Sequence, residues 1–199
     1  MELASREGVS QRKTAVRDRI LSSAYELFSE QGLAATGVDA IVAHAGVAKA
    51  SLYKHFPSKN DLIAAFLALR EERWTQQWLK VEVLGRAEDP RKRLLIIFDV
   101  FNEWFHEPDL EGCSFINTLL ETQRGEPINL AAAKYLENIR SFVLQLASDA
   151  ELSEIEEFAF VWHTLMKGSI VTALEGHLDA AKVARRAAEI ILKSWPSRG

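Results

Sequence analysis

The chain has 199 residues, 48% of them hydrophobic and 26% charged, with five prolines, ten glycines, one cysteine and a formal net charge of −4. That length allows one or two domains, the composition excludes a disordered or collagen-like chain, and the net charge argues against wholesale coating of nucleic acid. A single cysteine excludes an internal disulfide, and no apolar run approaches the roughly 18 residues of a membrane span. The N-terminus lacks the apolar core of a secretory signal. A cytoplasmic protein with no membrane partner is therefore expected. Strand-like alternation is absent, so the expected fold class is all-α.

Residues 1–11 are polar and are expected to be loosely ordered. Arg6, Arg12, Lys13, Arg17 and Arg19 make this arm and the first helix basic, and basic arms often reach phosphates. The first helix is predicted over residues 14–31, with Val16, Ile20, Ala24, Leu27 and Phe28 as its apolar stripe. Gly32 is its stop.

Residues 36–56 read as two short helices joined by a tight turn. Thr36 stands three residues before Asp39, as in a capping box. Val38, Ile41, Val42 and Ala45 form one helical face, and Gly46 follows where a left-handed residue ends a helix at low steric cost. A second helix starts near Ala48. Leu52 and Phe56 lie four apart and turn inward, which leaves Lys49, Ala50, Ser51, Tyr53, Lys54 and His55 on or near the outer side. Lysine suits base edges and phosphates, hydroxyl and imidazole groups suit phosphate oxygens, and Ala50 allows close approach. An ordinary helical hairpin with a solvated face fits the same periodicity.

Pro57 ends this helix, and Ser58 with Asp61 caps the next. Lys59 lies in its first turn, beside free backbone amides. The helix is predicted to reach about residue 84. Leu62, Phe66 and Leu69 face the head, while Trp74 and Trp78 belong to the body. Asp89 and Pro90 start a helix carrying Leu94, Ile97, Phe98, Phe101 and Phe105 on one face. Helices are further predicted over residues 113–124, 128–148, 153–175 and 179–194. Residues 1–60 hold eight Lys/Arg and six Asp/Glu, a balance of +2; residues 61–199 hold sixteen and twenty-two, a balance of −6. The expected domains are 1–60 and 61–199.

Enzymatic constellations are missing: no Gly-rich phosphate loop, no His-Glu-x-x-His, and Ser114 lies outside any Gly-x-Ser-x-Gly elbow. No cofactor, metal site or catalytic residue is expected. His163 inside an apolar helix reads as a structural histidine, and Cys113 as buried. Glu154, Glu156 and Glu157 read as charges favouring a helix N-terminus.

Residues 36–62 resemble the DNA-binding fingerprint of the tetracycline-repressor (TetR) family, Gly-Val-Ser-x-Gly-Thr-Leu-Tyr-x-Tyr-Phe-x-x-Lys-x-x-Leu. Gly46, Val47, Leu52, Tyr53, Phe56, Lys59 and Leu62 match it. Ser51 stands for Thr and His55 for Tyr. Ala48 replaces Ser and leaves the second helix without a side-chain cap, and Ala50 replaces Gly. Residues 112–117 resemble a Gly-Cys-apolar-Asn segment of some TetR-like bodies. The resemblance implies an N-terminal three-helix helix-turn-helix DNA-binding head (1–60) on a larger helical ligand-binding and dimerisation body (61–199). It implies a transcriptional regulator, most readily a repressor released from its operator by an apolar small molecule. A ligand-responsive activator on the same fold, or a helical protein-interaction module without DNA binding, remains open.

DNA contacts are expected from Thr36, Lys49, Ala50, Ser51, Tyr53, Lys54, His55 and Lys59. The expected partners are a near-palindromic operator, a second copy joined through the last two helices, and an unknown apolar or aromatic effector. For pairing, the stripes Phe158, Trp162, Leu165, Ser169, Thr172, Ala173 and Val183, Ala187, Ile190, Ile191 are candidates. For the effector, Trp74, Trp78, Phe101, Phe105, Asn117, Trp162 and Met166 are candidates, because aromatic walls with a few polar groups suit a small apolar ligand.

Overall fold

In a computed structural model, residues 2–108 and 110–198 are described, with side chains from Thr14 onward. The helices are α1 (Glu2–Gln31), α2 (Val38–Ala45), α3 (Lys49–His55), α4 (Lys59–Arg70), a π-helical stretch (Glu71–Leu79), α5 (Lys80–Gly85), α6 (Pro90–Phe105), α7 (Ser114–Glu121), α8 (Pro127–Asp149), α9 (Ile155–Leu174) and α10 (Ala180–Ser194). Among the described residues the one strand-like feature is an isolated bridge between Leu152 and Ser197. The all-α expectation holds.

The chain divides into two compact units, residues 1–69 with 116–132, and 70–115 with 133–199. These differ from the expected 1–60 and 61–199 in two respects. Most of α4 sides with the head, because Leu62, Ile63, Phe66 and Leu67 are all buried and Phe66 packs its ring 5.4 Å from Phe28 and 5.5 Å from Tyr25. Residues 116–132 also join the first unit, where Glu121 Oε2 accepts from the Ala34 amide at 2.8 Å.

In the first unit, α1 begins at Glu2, twelve residues before the expected start. Residues 2–13 carry good helix formers and no proline, so nothing stops the helix from extending. The expected contacts of Arg6, Arg12 and Lys13 lie outside the described side chains. The core is built from Ile20, Ala24, Leu27 and Phe28 of α1 with Ile41 and Ala45 of α2, Leu52 of α3 and Phe56 after it. Gly46 closes α2 at φ 60°, ψ 43°, as its position after the apolar face required, and its amide and that of Val47 bond back to Ala43 and Val42. Ser58 and Asp61 cap α4 reciprocally: the Ser58 amide donates to Asp61 Oδ2 at 2.9 Å and the Asp61 amide to Ser58 Oγ at 3.1 Å.

Thr36 does something other than cap α2. The cap position is Gly37, which offers no side chain. The Thr36 hydroxyl is fully buried and donates to the carbonyls of Gly32 (2.8 Å) and Leu27 (3.1 Å), so it closes the turn after α1.

In the second unit, Asp89 caps α6 through the amides of Arg91 and Lys92, with Pro90 at the first helical position. Leu94, Ile97, Phe98, Phe101 and Phe105 of α6 are buried. Ala180, Ala181, Ala184 and Ala188 are the buried residues of α10 besides Leu192, and side chains this small let helices approach closely. Phe158 stacks on Trp162 at 4.9 Å, and Trp162 meets Phe98 at 5.5 Å.

Two outcomes follow from these buried groups. Thr36→Val keeps the volume and removes the hydroxyl bonded to the Gly32 and Leu27 carbonyls. Stability should fall by about 1–3 kcal/mol in urea unfolding, with an unchanged m-value. His163 is buried beside Trp162, and burial, reinforced by Lys167 and Arg140, pushes its pKa down to about 3. The unfolded chain, near pH 6.5, takes up the proton first, so this group's contribution is present above that pH and is lost as pH falls toward 3. Unfolding free energy across pH 7 to 4 should drop less steeply in His163→Leu than in the wild type.

Candidate nucleic-acid interface

The α2–α3 hairpin presents one face because the other is spent on the core. Leu52 is 0% exposed and Phe56 3%. With those two inward, Lys49, Ala50, Tyr53 and Lys54 are exposed, and Ser51 and His55 are half-buried. Six of the eight expected contact residues therefore gather on the outer side of a seven-residue helix.

Ala48 occupies the α3 cap position with extended backbone (φ −73°, ψ 145°) and supplies no side-chain bond. The missing cap expected from Ala48 is thus real. Lys49 is not a free cation: its Nζ lies 2.7 Å from Asp39 Oδ1, and that hydrogen bond raises the lysine pKa. Asp39 belongs to the site as the group that holds Lys49. Its place ten residues earlier, in the first turn of α2, gave it a capping role in the sequence and hid this one. Lys54 is exposed in the last turn of α3.

The other two expected residues are placed differently. Thr36 is buried, with its hydroxyl committed inward, so its side chain is not available to phosphate. Lys59 does open α4, but it is half-buried and its Nζ donates to the Leu33 carbonyl at 2.6 Å. It ties the start of α4 to the turn after α1. Arg17, on α1, stacks over the Phe56 ring at 5.0 Å.

The seven effector candidates do not form one group. Trp74, Trp78, Phe101 and Phe105 join Trp104 in a single aromatic cluster in the second unit, with ring centroids 5.3 Å apart for Trp74–Trp78 and for Trp74–Trp104. Trp162 and Met166 are core residues of α9, 0% and 2% exposed. Asn117 falls in the first unit. None of the seven lines the cleft of about 840 Å³ between α9 and α10, whose walls include Leu165, Gly168, Thr172, Val183 and Ala187.

The pairing stripes are also divided. Phe158, Trp162, Ser169 and Ala173 are buried within the protomer. They sit on the inner face of α9 because their spacing follows that face. The outer face carries Phe160 (61% exposed), Val171, Val183 and Ile190 (70%), with Leu165, Thr172, Ala187 and Ile191 half-buried.

Comparison with known proteins agrees with this geometry. Residues 20–66 match the model of bacterial regulatory proteins, tetR family. The chain is 27% identical over 123 residues to the HTH-type transcriptional regulator QacR of Staphylococcus aureus, covering 61% of this chain and 65% of that one. It is 26% identical over 168 residues to the HTH-type transcriptional regulator LmrA of Bacillus subtilis, covering 79% and 86%. The chain thus spans just under two thirds of the first relative's length. Among solved structures, SCO4454, a TetR-family transcriptional regulator from Streptomyces coelicolor, superimposes with a TM-score of 0.80 at 21% identity over 90% of this chain and 95% of that one. Residues 20–66 carry the match to the tetR family of bacterial regulatory proteins, and the chain has the fold of solved TetR-family regulators.

Proposed function

We propose that the protein is a homodimeric DNA-binding transcriptional regulator of the cytoplasm, a repressor that an apolar small molecule releases from a near-palindromic operator. The observation that carries this is the outer face of α3, where Lys49, Ala50, Tyr53 and Lys54 are exposed while Leu52 and Phe56 hold the helix from behind. Lys49, Ala50 and Lys54 approach bases. Ser51, Tyr53 and His55 bind phosphate. Lys59 acts in part by fixing the turn after α1 through Leu33, as its present bond suggests. Residues 1–69 serve as the head, and the remainder serves the effector and the second copy.

Binding to phosphates releases counterions, so affinity should fall steeply with salt. In gel shifts with DNA upstream of the protein's own gene, Tyr53→Phe should weaken all sequences alike. Lys54→Ala should weaken binding and relax sequence preference, with about 1–3 kcal/mol lost at the preferred site. Uniform loss for Lys54→Ala would remove it from the base-reading set. No binding to any upstream DNA at low salt would defeat the proposal.

The second copy is placed on the outer face of α9 and α10. Exposed Phe160, Val171, Val183 and Ile190 support this, because an apolar surface of this kind is unfavourable in water. Two heads must match half-sites about 34–36 Å apart, so a monomer should bind poorly. Val183→Glu with Ile190→Glu should give a monomer by light scattering at micromolar concentration and lose at least tenfold in operator affinity. A wild-type monomer, on and off DNA, would overturn the dimer.

A further inference from the structure

The two lysines on the outer face of α3 differ in their company. Lys54, in the last turn, forms no ion pair among the described residues. Lys49, the first residue of the helix, has its Nζ 2.7 Å from Asp39 Oδ1, and the two side chains are 53% and 80% exposed. Asp39 lies in the first turn of α2, so the pair spans the turn at Gly46. An aspartate there can answer the positive end of its own helix, and Gly37 gives α2 no side-chain cap. That role needs no lysine. In helix-turn-helix proteins the N-terminal residues of the second helix meet the base edges, and Lys49 is the first of α3.

Exposed ion pairs add little to fold stability, so the effect of this one lies in binding. A carboxylate on a face that approaches DNA is unfavourable for every sequence alike. Non-specific affinity comes almost entirely from cations that replace counterions on phosphate. Paired with Asp39, Lys49 brings no net charge to that exchange. It keeps donors, however. An ammonium has three N–H groups; Asp39 takes one, and two remain.

Guanine presents N7 and O6 side by side in the major groove, and lysine is among their usual partners. The four-carbon stem of a lysine is flexible, and a bond to Asp39 restricts where the ammonium goes. The pair is therefore weak toward phosphate and restrained for a base acceptor. Specificity is a difference of affinities, and an unfavourable charge against the wrong partner raises it as a contact to the right one does.

We infer that Asp39 is a specificity-determining positioning residue for DNA binding. It holds the Lys49 ammonium for a guanine edge and, by cancelling its charge, keeps it from strengthening contact with phosphates at unrelated sequences. The assignment rests on the proposed reading of Lys49 as a base contact and adds the residue that makes that contact selective.

The test uses the full chain. A preferred duplex is selected from random-sequence DNA with the wild type, and a scrambled duplex of the same composition serves as reference. Affinities for both are read by fluorescence anisotropy across a salt series, with thermal melting of each variant alongside. Asp39→Asn should bind the scrambled duplex more tightly, with a log–log salt slope steeper by about one. Its preference for the selected duplex should drop by at least about fivefold, the lower end of the cost of one misread base pair. In the Lys49→Ala background the same change should raise both affinities alike and leave the preference within about twofold, because the effect runs through Lys49.

An unchanged preference in Asp39→Asn would reduce Asp39 to a repulsive charge and overturn the inference. So would an equal loss of preference without Lys49, which would mark Asp39 as a base contact in its own right, accepting from cytosine. A lower melting temperature with both affinities weakened alike would leave only the helix-terminal charge and overturn it too. If selection with the wild type enriches no sequence, α3 is not a base-reading helix and both readings fail together. A wild-type preference that survives in Asp39→Asn defeats this one alone.

Discussion

A helix of seven residues cannot hold itself in water. Nucleation fixes several residues for one hydrogen bond, and isolated helices this short are unstable. α3 also lacks a side-chain cap at Ala48. Its existence therefore depends on the burial of Leu52 and Phe56 against the head core. The consequence is functional as well as structural. A helix held only from behind has its outer face free, and the residues on that face can be chosen for recognition with little effect on folding. Ala50 and Lys54 illustrate this, since neither touches the core.

The same dependence explains the effort spent on the turn after α1. Thr36 bonds two carbonyls there, Lys59 bonds Leu33, and Glu121 accepts the Ala34 amide. These three side chains come from the turn itself, from α4 and from α7. Together they fix the entry of α2, and α2 with α1 forms the bed on which α3 lies. Thr36, Lys59 and Glu121 are polar residues whose work is positional. Sequence pattern makes such groups look like surface contacts, because a hydroxyl or an ammonium beside a recognition helix reads equally well as a donor to phosphate or as a donor to a carbonyl.

Helix order, the Gly46 stop, the Ser58–Asp61 cap and the Asp89–Pro90 start were legible in the sequence because each rests on neighbours within four residues. The outer face of α3 was legible for the same reason: Leu52 and Phe56 orient it by helical period alone. What lay beyond was set by distant partners. Asp39 reaches Lys49 across a turn, and Lys59 reaches back twenty-six residues to Leu33. The stripe Phe158, Trp162, Ser169, Ala173 was correctly read as one helical face, but period does not say whether a face meets its own protomer or another. Likewise aromatic residues alone did not separate Trp162, which is core, from Trp74, which is half-buried and joins the cluster with Trp78 and Trp104.

Glu71 itself was readable and was passed over. A glutamate at the head of the row Glu71, Thr75, Leu79, Val83 breaks an otherwise consistent rule, since polar groups in such a row are expected to face water. Its spacing of four was no further sign, because the α-helix α10 buries Ala180, Ala184, Ala188 and Leu192 at the same spacing. Burying a carboxylate oxygen, a threonine hydroxyl and an indole N–H without hydrogen-bond partners costs free energy at each group. Local rules are broken in natural proteins chiefly where function compensates for it. The head holds such a group too, Ser29 Oγ of α1, while Thr36 and Lys59 beside the hairpin donate to backbone carbonyls. Among the described residues unbonded buried polar atoms therefore occur in both units, and Glu71 stands apart among them as a carboxylate, the group most costly to take out of water.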